Sequence, residues 1–77
     1  MITPKNKEWI VVNTVYYRDT NRLYGYKLRN KDFEQRIITT ESGNRLLREG
    51  IIEESLYQEL SYCSVPLDYK ENLEGVI

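Results

Sequence analysis

The sequence predicts an α+β domain, a three-stranded antiparallel meander with one or two short helices packed on it, and three observations carry that prediction. The stretch "EWIVVNTVYY" is dense in β-branched and aromatic residues. Two turn-forming clusters follow it at short intervals, and "TTESGNRLLREG" carries the start and stop signals of a helix. The 77 residues are expected to make one small domain over residues 1–67 and an acidic, mobile tail over 68–77. A domain of this size buries only a little over about 60% of the surface that its unfolded chain exposes, so a homodimer is a ready source of further stability.

The first strand is expected over residues 8–18, with apolar side chains on both alternation phases and so covered on both faces for part of its length. "DTNR" breaks it, "LYGYKLR" resumes strand character, "NKD" breaks the chain again, and "FEQRIITT" makes a third strand. Turns this short imply antiparallel pairing. A first turn at Thr20-Asn21 pairs Arg18 with Leu23, Tyr17 with Tyr24, Tyr16 with Gly25 and Val15 with Tyr26. A second turn at Asn30-Lys31 brings Phe33 opposite Leu28 and Ile37 opposite Tyr24.

In that register Trp9, Val11, Val15, Tyr17, Tyr24, Tyr26 and Leu28 share the core face with Phe33 and Ile37. The other face carries Ile10, Val12, Tyr16, Arg18, Leu23, Lys27, Arg29, Arg36 and Ile38. Lys27 then lies opposite Glu34 and Arg29 opposite Asp32, while Tyr16 covers the bare Gly25 and reaches Arg36. Tyr16 reads either as cover for a strand without a side chain or as a stacking platform. A slip of one residue would exchange the two faces.

Beyond the sheet, Thr40 is expected to cap a short helix that turns Leu46 and Leu47 inward and stops at Gly50. Gly43 and Asn44 weaken its first turns, and "SGN" is an alternative hairpin turn. Ile52, Leu56, Leu60 and Cys63 recur at helical spacing, which predicts a second helix over 53–64. The same segment from Leu60 onward is also readable as a fourth strand, and Pro66 ends either element.

The chain has no histidine and one cysteine. That excludes imidazole-based triads and dyads, an intramolecular disulfide and a cysteine-only metal site. No G-x-S-x-G, glycine-rich phosphate loop or H-E-x-x-H is present. Cys63 reads as a small core residue, and the adjacent Glu53 and Glu54 as a solvated helix start. The expectation is a protein that is not an enzyme and takes no cofactor or metal.

No apolar run approaches membrane-spanning length, and "MITPKNKEWI" lacks a leader's apolar centre, which points to a cytoplasmic protein. Charge is uneven. Residues 1–48 hold ten Lys/Arg against five Asp/Glu, and residues 49–77 hold one against seven, so the halves either attract each other or serve different partners. Abundant Ile, Tyr, Asn and Lys with no Ala suggests an AT-rich genome.

The run "RLYGYKLRN", followed about ten residues later by "ITTESGNRLLREGIIE", resembles small uncharacterised proteins of low-GC Gram-positive bacteria and their phages. In these a G-Y-x-L strand precedes a short helix ending in x-G-x-I. The resemblance covers residues 22–53 and rests on Gly25, Tyr26, Leu28, Leu46, Leu47, Gly50 and Ile52. It implies a fold and a type of genome, and the family pattern continues into a strand where the spacing here predicts helix.

Two function classes remain. One is a protein-binding accessory or inhibitor factor of phage or mobile-element type, acting on a host or defence protein. The alternative is a nucleic-acid-binding module that stacks on Tyr16 and holds phosphates with the basic sheet face, against which stands a pI near 5.4. The candidate binding residues in either case are Tyr16, Arg18, Leu23, Lys27, Arg29 and Arg36. Ile10, Val12, Tyr16, Leu23 and Ile38 are expected to form an apolar docking patch, open to a second copy or a partner.

Overall fold

The β-branched run forms β1 (Ile10–Tyr17), the strand around which the others assemble. A computed structural model describes residues 8–77, and residues 1–7, part of the stretch read above for a leader, lie outside the described residues. β1 pairs antiparallel with β2 (Leu23–Arg29), which pairs antiparallel with β3 (Gln35–Thr39), giving the expected meander. α1 (Thr40–Arg48) follows β3 without a break. The chain then returns to the open edge of β1 as two short parallel strands, β4 (Glu53–Glu54) beside Ile10 and Val11, and β5 (Cys63–Val65) beside Val15 to Tyr17. The result is a mixed five-stranded sheet with one short helix.

The helix expected over 53–64 does not form. The spacing of Ile52, Leu56, Leu60 and Cys63 satisfies a helix, but the edge of β1 presents backbone groups that need partners, and only extended chain supplies them. Ser55 and Glu59 donate their N–H groups to the carbonyls of Val11 and Val12 at 2.9 and 2.7 Å.

Both registers also differ from expectation. Val15 pairs with Gly25 and Tyr16 with Leu23, with irregularities at Val11/Asn13 and Val15/Tyr16 that an alternation pattern cannot reveal. The turn is longer than two residues: Tyr17 bonds the Arg22 carbonyl at 2.7 Å, and Asn21 adopts φ 58°. On the other side Tyr26 pairs with Ile38 and Leu28 with Arg36, three residues beyond the expected match. The Asn30 side chain sets this loop, its Oδ1 accepting from the N–H groups of Asp32 and Glu34, both at 2.9 Å. The odd shift exchanges the faces of β3. Phe33, expected in the core, is 74% exposed, whereas Ile38 and Val12, expected on the outer face, are fully buried.

The core consists of two clusters. Trp9, Val11, Leu28, Ile38, Leu46, Ile52 and Val76 form the larger, and Val15, Tyr24 and Val65 the smaller. In the smaller one the Tyr24 ring makes edge contacts with Tyr17 and Tyr69 at centroid distances of 5.3 and 5.7 Å. Burial, then the Glu71 carboxylate, then Tyr69 and Tyr17 push the Tyr24 hydroxyl up from 10.0 to about 12. Between those values the unfolded chain loses this proton before the folded one does, so stability falls as pH rises from 10 to about 12. Each pH unit in that window removes at most about 1.4 kcal/mol. Melting temperature measured against pH should therefore drop less steeply above pH 10 in Tyr24→Phe than in the parent.

α1 is capped by Thr39 rather than Thr40, the Thr39 Oγ1 accepting from the Ser42 N–H at 3.2 Å. It stops where expected, with Gly50 at φ 77° and the N–H groups of Gly50 and Ile51 bonding the carbonyls of Leu47 and Leu46. Gly43 sits inside the helix because a Cβ there would overlap the Tyr26 ring, whose hydroxyl donates to Asn44 Oδ1 at 2.9 Å. Gly→Ala within a helix ordinarily stabilises by about 1 kcal/mol. Gly43→Ala is expected to reverse that sign and lose about 1–2 kcal/mol in urea titration, because the ring is held at both ends.

Residues 68–77, expected as a mobile tail, pack along the exposed edge of β3. Asn72 donates its N–H to the Ile37 carbonyl at 3.4 Å, and Arg36 Nε donates to the Glu74 carbonyl at 2.9 Å. Trp9 Nε1 donates to the Gly75 carbonyl at 2.9 Å, and Val76 is buried in the larger cluster. The Glu71 carboxylate accepts from the Thr39 N–H and hydroxyl and from the Ser42 hydroxyl, so it clamps the start of α1. The unpaired edge of β3 and the positive end of the helix supply the reason.

Candidate functional site

Between β4 and β5 the chain leaves the edge of β1 for residues 55–62, at the level of the Val12 irregularity. The excursion is tied at every second or third residue. Its anchors at Val11 and Val12 are joined by Gln58, whose Nε2 donates to the carbonyls of Val11 and Ser55, both at 2.8 Å. The buried Asn13 donates its Nδ2 to the Ser61 carbonyl at 2.8 Å. Ser55 Oγ accepts from the Tyr57 N–H and donates to the Tyr57 carbonyl, each at 3.1 Å.

Glu59 turns inward. Its two carboxylate oxygens accept from Lys27 Nζ at 2.6 Å and from Arg29 Nη1 at 3.2 Å, on largely covered side chains. The ion pairs reduce the penalty of placing all three charges partly out of water. Tyr62 closes the excursion, its ring stacked on Tyr16 at 6.0 Å and 4° and its hydroxyl donating to Asn21 Oδ1 at 2.8 Å.

The anchors use the polar residues and leave the apolar ones outside. Leu56, Tyr57 and Leu60 are 93%, 85% and 98% exposed, and Tyr62 and Leu67 are also exposed. The backbone is held while large apolar side chains meet water, so this loop offers contact area at low cost in ordering.

Three of the six candidate residues from the sequence, Tyr16, Lys27 and Arg29, contact this loop. Tyr16 stacks on Tyr62, Leu23 is exposed and pairs with Tyr16, and Lys27 and Arg29 hold Glu59. Glu34 and Asp32 are not their partners. Arg18 is exposed beyond β1 and donates its N–H to the Val65 carbonyl at 2.8 Å. Arg36 lies elsewhere, 5.1 Å from the Trp9 ring and bonded to Glu74, so the expected contact between Tyr16 and Arg36 does not form. The expected patch of Ile10, Val12, Tyr16, Leu23 and Ile38 is likewise absent, because Val12 and Ile38 are core.

Leu56, Tyr57, Leu60, Tyr62 and the anchor Glu59 were not singled out by sequence reasoning, since a helical period assigns Leu56 and Leu60 to a buried stripe. Among the described residues no group of three or more Cys, Asp or Glu side chains is arranged to hold a metal ion. No described helix is long and apolar enough to cross a membrane. Comparison with protein families, with curated proteins and with solved structures finds no match for this chain.

Proposed function

We propose that this protein works by binding another protein through the loop of residues 55–62, as a non-catalytic accessory or inhibitor factor of the phage or mobile-element type acting on a host or defence protein. One observation carries the reading: Leu56, Tyr57 and Leu60 stand almost fully in water on a backbone that hydrogen bonds and two ion pairs hold in place. Tyrosine and leucine presented in this way bury well against a complementary pocket, and tyrosine is a frequent anchor of such contacts. Against nucleic acid as the partner stands the use of the basic residues, with Lys27 and Arg29 spent on Glu59 and Arg36 on Trp9 and Glu74.

The test is affinity capture from the host with the parent and with Leu56→Asp/Tyr57→Asp, whose exposed positions leave the core untouched. A protein retained in stoichiometric amount by the parent should bind at least about tenfold more weakly to the variant, as expected when two anchors are lost. Equal retention by both would refute the reading. A mobility shift with mixed RNA and DNA that weakens with salt would move the assignment to nucleic acid.

A further inference from the structure

The strip that runs outside β1 from Ser55 to Leu67 contains a single charged residue, Glu59, and that residue is turned inward onto Lys27 and Arg29. Its exposed large apolar side chains are Leu56, Tyr57, Leu60, Tyr62 and Leu67, interspersed with the exposed but uncharged Gln58, Ser61 and Pro66. A surface of this composition is suited to its own copy. Across a two-fold axis every residue near the axis meets itself, so an outward charge there would repel its twin, and here the one charge, Glu59, is neutralised inward by Lys27 and Arg29. The chain as a whole has a net charge of only −1, so the repulsion between two approaching copies is small.

The area suits the same occupant. Three leucines and two tyrosines exposed to this degree offer on the order of 700 Å², close to the roughly 800 Å² per partner of a standard interface. The domain is also small, and its core is divided into two clusters, so covering this strip adds apolar burial where little is otherwise available.

We propose that two copies of the chain pair through this strip about a two-fold axis, with Leu60 beside the axis. The proposal rests on the reading that the loop is the binding element, and it adds the occupant that covers the loop until another protein displaces it.

Sedimentation equilibrium up to about 1 mM is the first measurement, a range that detects even weak pairing. The parent should be a dimer and Leu60→Asp a monomer with unchanged circular dichroism, because Leu60 is 98% exposed and its replacement does not touch the core. The second measurement uses Cys63→Ser to remove the native thiol. In that background Leu60→Cys should form a disulfide-linked dimer on mild oxidation, which requires the two Cα atoms within about 7 Å, while the same change at Glu41 on α1 should not. A parent that stays monomeric throughout, a Leu60→Asp variant that still dimerises, or larger open-ended oligomers would each overturn the pairing. A monomeric parent that still captures a host protein in a loop-dependent way would overturn the self-pairing alone and leave the protein-partner reading standing.

Discussion

Removing residues 71–77 is expected to unfold the protein. Deletion exposes the pocket of Val76, whose full burial stabilises by about 1.5 kcal/mol or more. It also removes the acceptors of the Trp9 Nε1–H and the Thr39 N–H, hydrogen bonds that contribute about 0.5–1.5 kcal/mol and, for the one to the charged Glu71, about 1.5–3 kcal/mol. The start of α1 loses its carboxylate clamp as well. Together these losses are on the order of 5 kcal/mol, comparable with the whole stability of a small domain. Far-ultraviolet circular dichroism of the truncated chain should show the loss of sheet signal at 25 °C. Single changes separate the contributions: Glu71→Ala and Val76→Ala should each remain folded with lowered urea midpoints. A truncated chain that melts with the parent would mean that these contacts carry no stability.

Gly25→Ala is expected to cost about 3 kcal/mol, more than its size suggests. Gly25 pairs with Val15 on one side and with Thr39 on the other, and it adjoins the irregularity where β1 and β2 lose register. A Cβ at this position would run into the Ile38 carbonyl and the Thr39 backbone. Side chains can in general swing aside, but a strand backbone cannot move without breaking its ladder. The damage should fall on β3, so hydrogen exchange at Ile37 and Ile38 should accelerate more than exchange at Val11. Uniform acceleration across the sheet would indicate general destabilisation instead of a displaced strand.

The parts of the fold set by neighbouring residues were legible in the sequence. β1, β2, β3 and α1 appear within a few residues of their expected limits because β-branched runs, turn clusters and a glycine stop act locally. Register was not legible, since it turns on the Asn30 side chain closing a longer loop and on irregularities at Val12 and Tyr24 that no alternation pattern encodes. The helix expected over 53–64 fails for a tertiary reason, since its helical spacing is real but the open edge of β1 decides the conformation, whereas the alternative of a strand beyond Leu60 is realised as β5. That override is also why the loop was missed, because the leucines a helix would have buried are the ones the edge leaves outside. Lys27 and Arg29 were correctly suspected of pairing, but the partner, Glu59, lies 30 or more residues away.

The bond from Trp9 to Gly75 joins residues 66 apart, and Val76 packs into the same cluster as Trp9 and Val11. During synthesis, then, β1 is made early yet its larger cluster stays open until Gly75 and Val76 have left the ribosome. A chain that ends before these residues would present an uncovered β3 edge and an unsealed apolar face. Contacts this distant in sequence slow closure and lengthen the time for which such surfaces are open to neighbours. Refolding from denaturant should accordingly be slower than for a helical domain of the same length, and aggregation should compete with it most strongly in chains halted before Gly75.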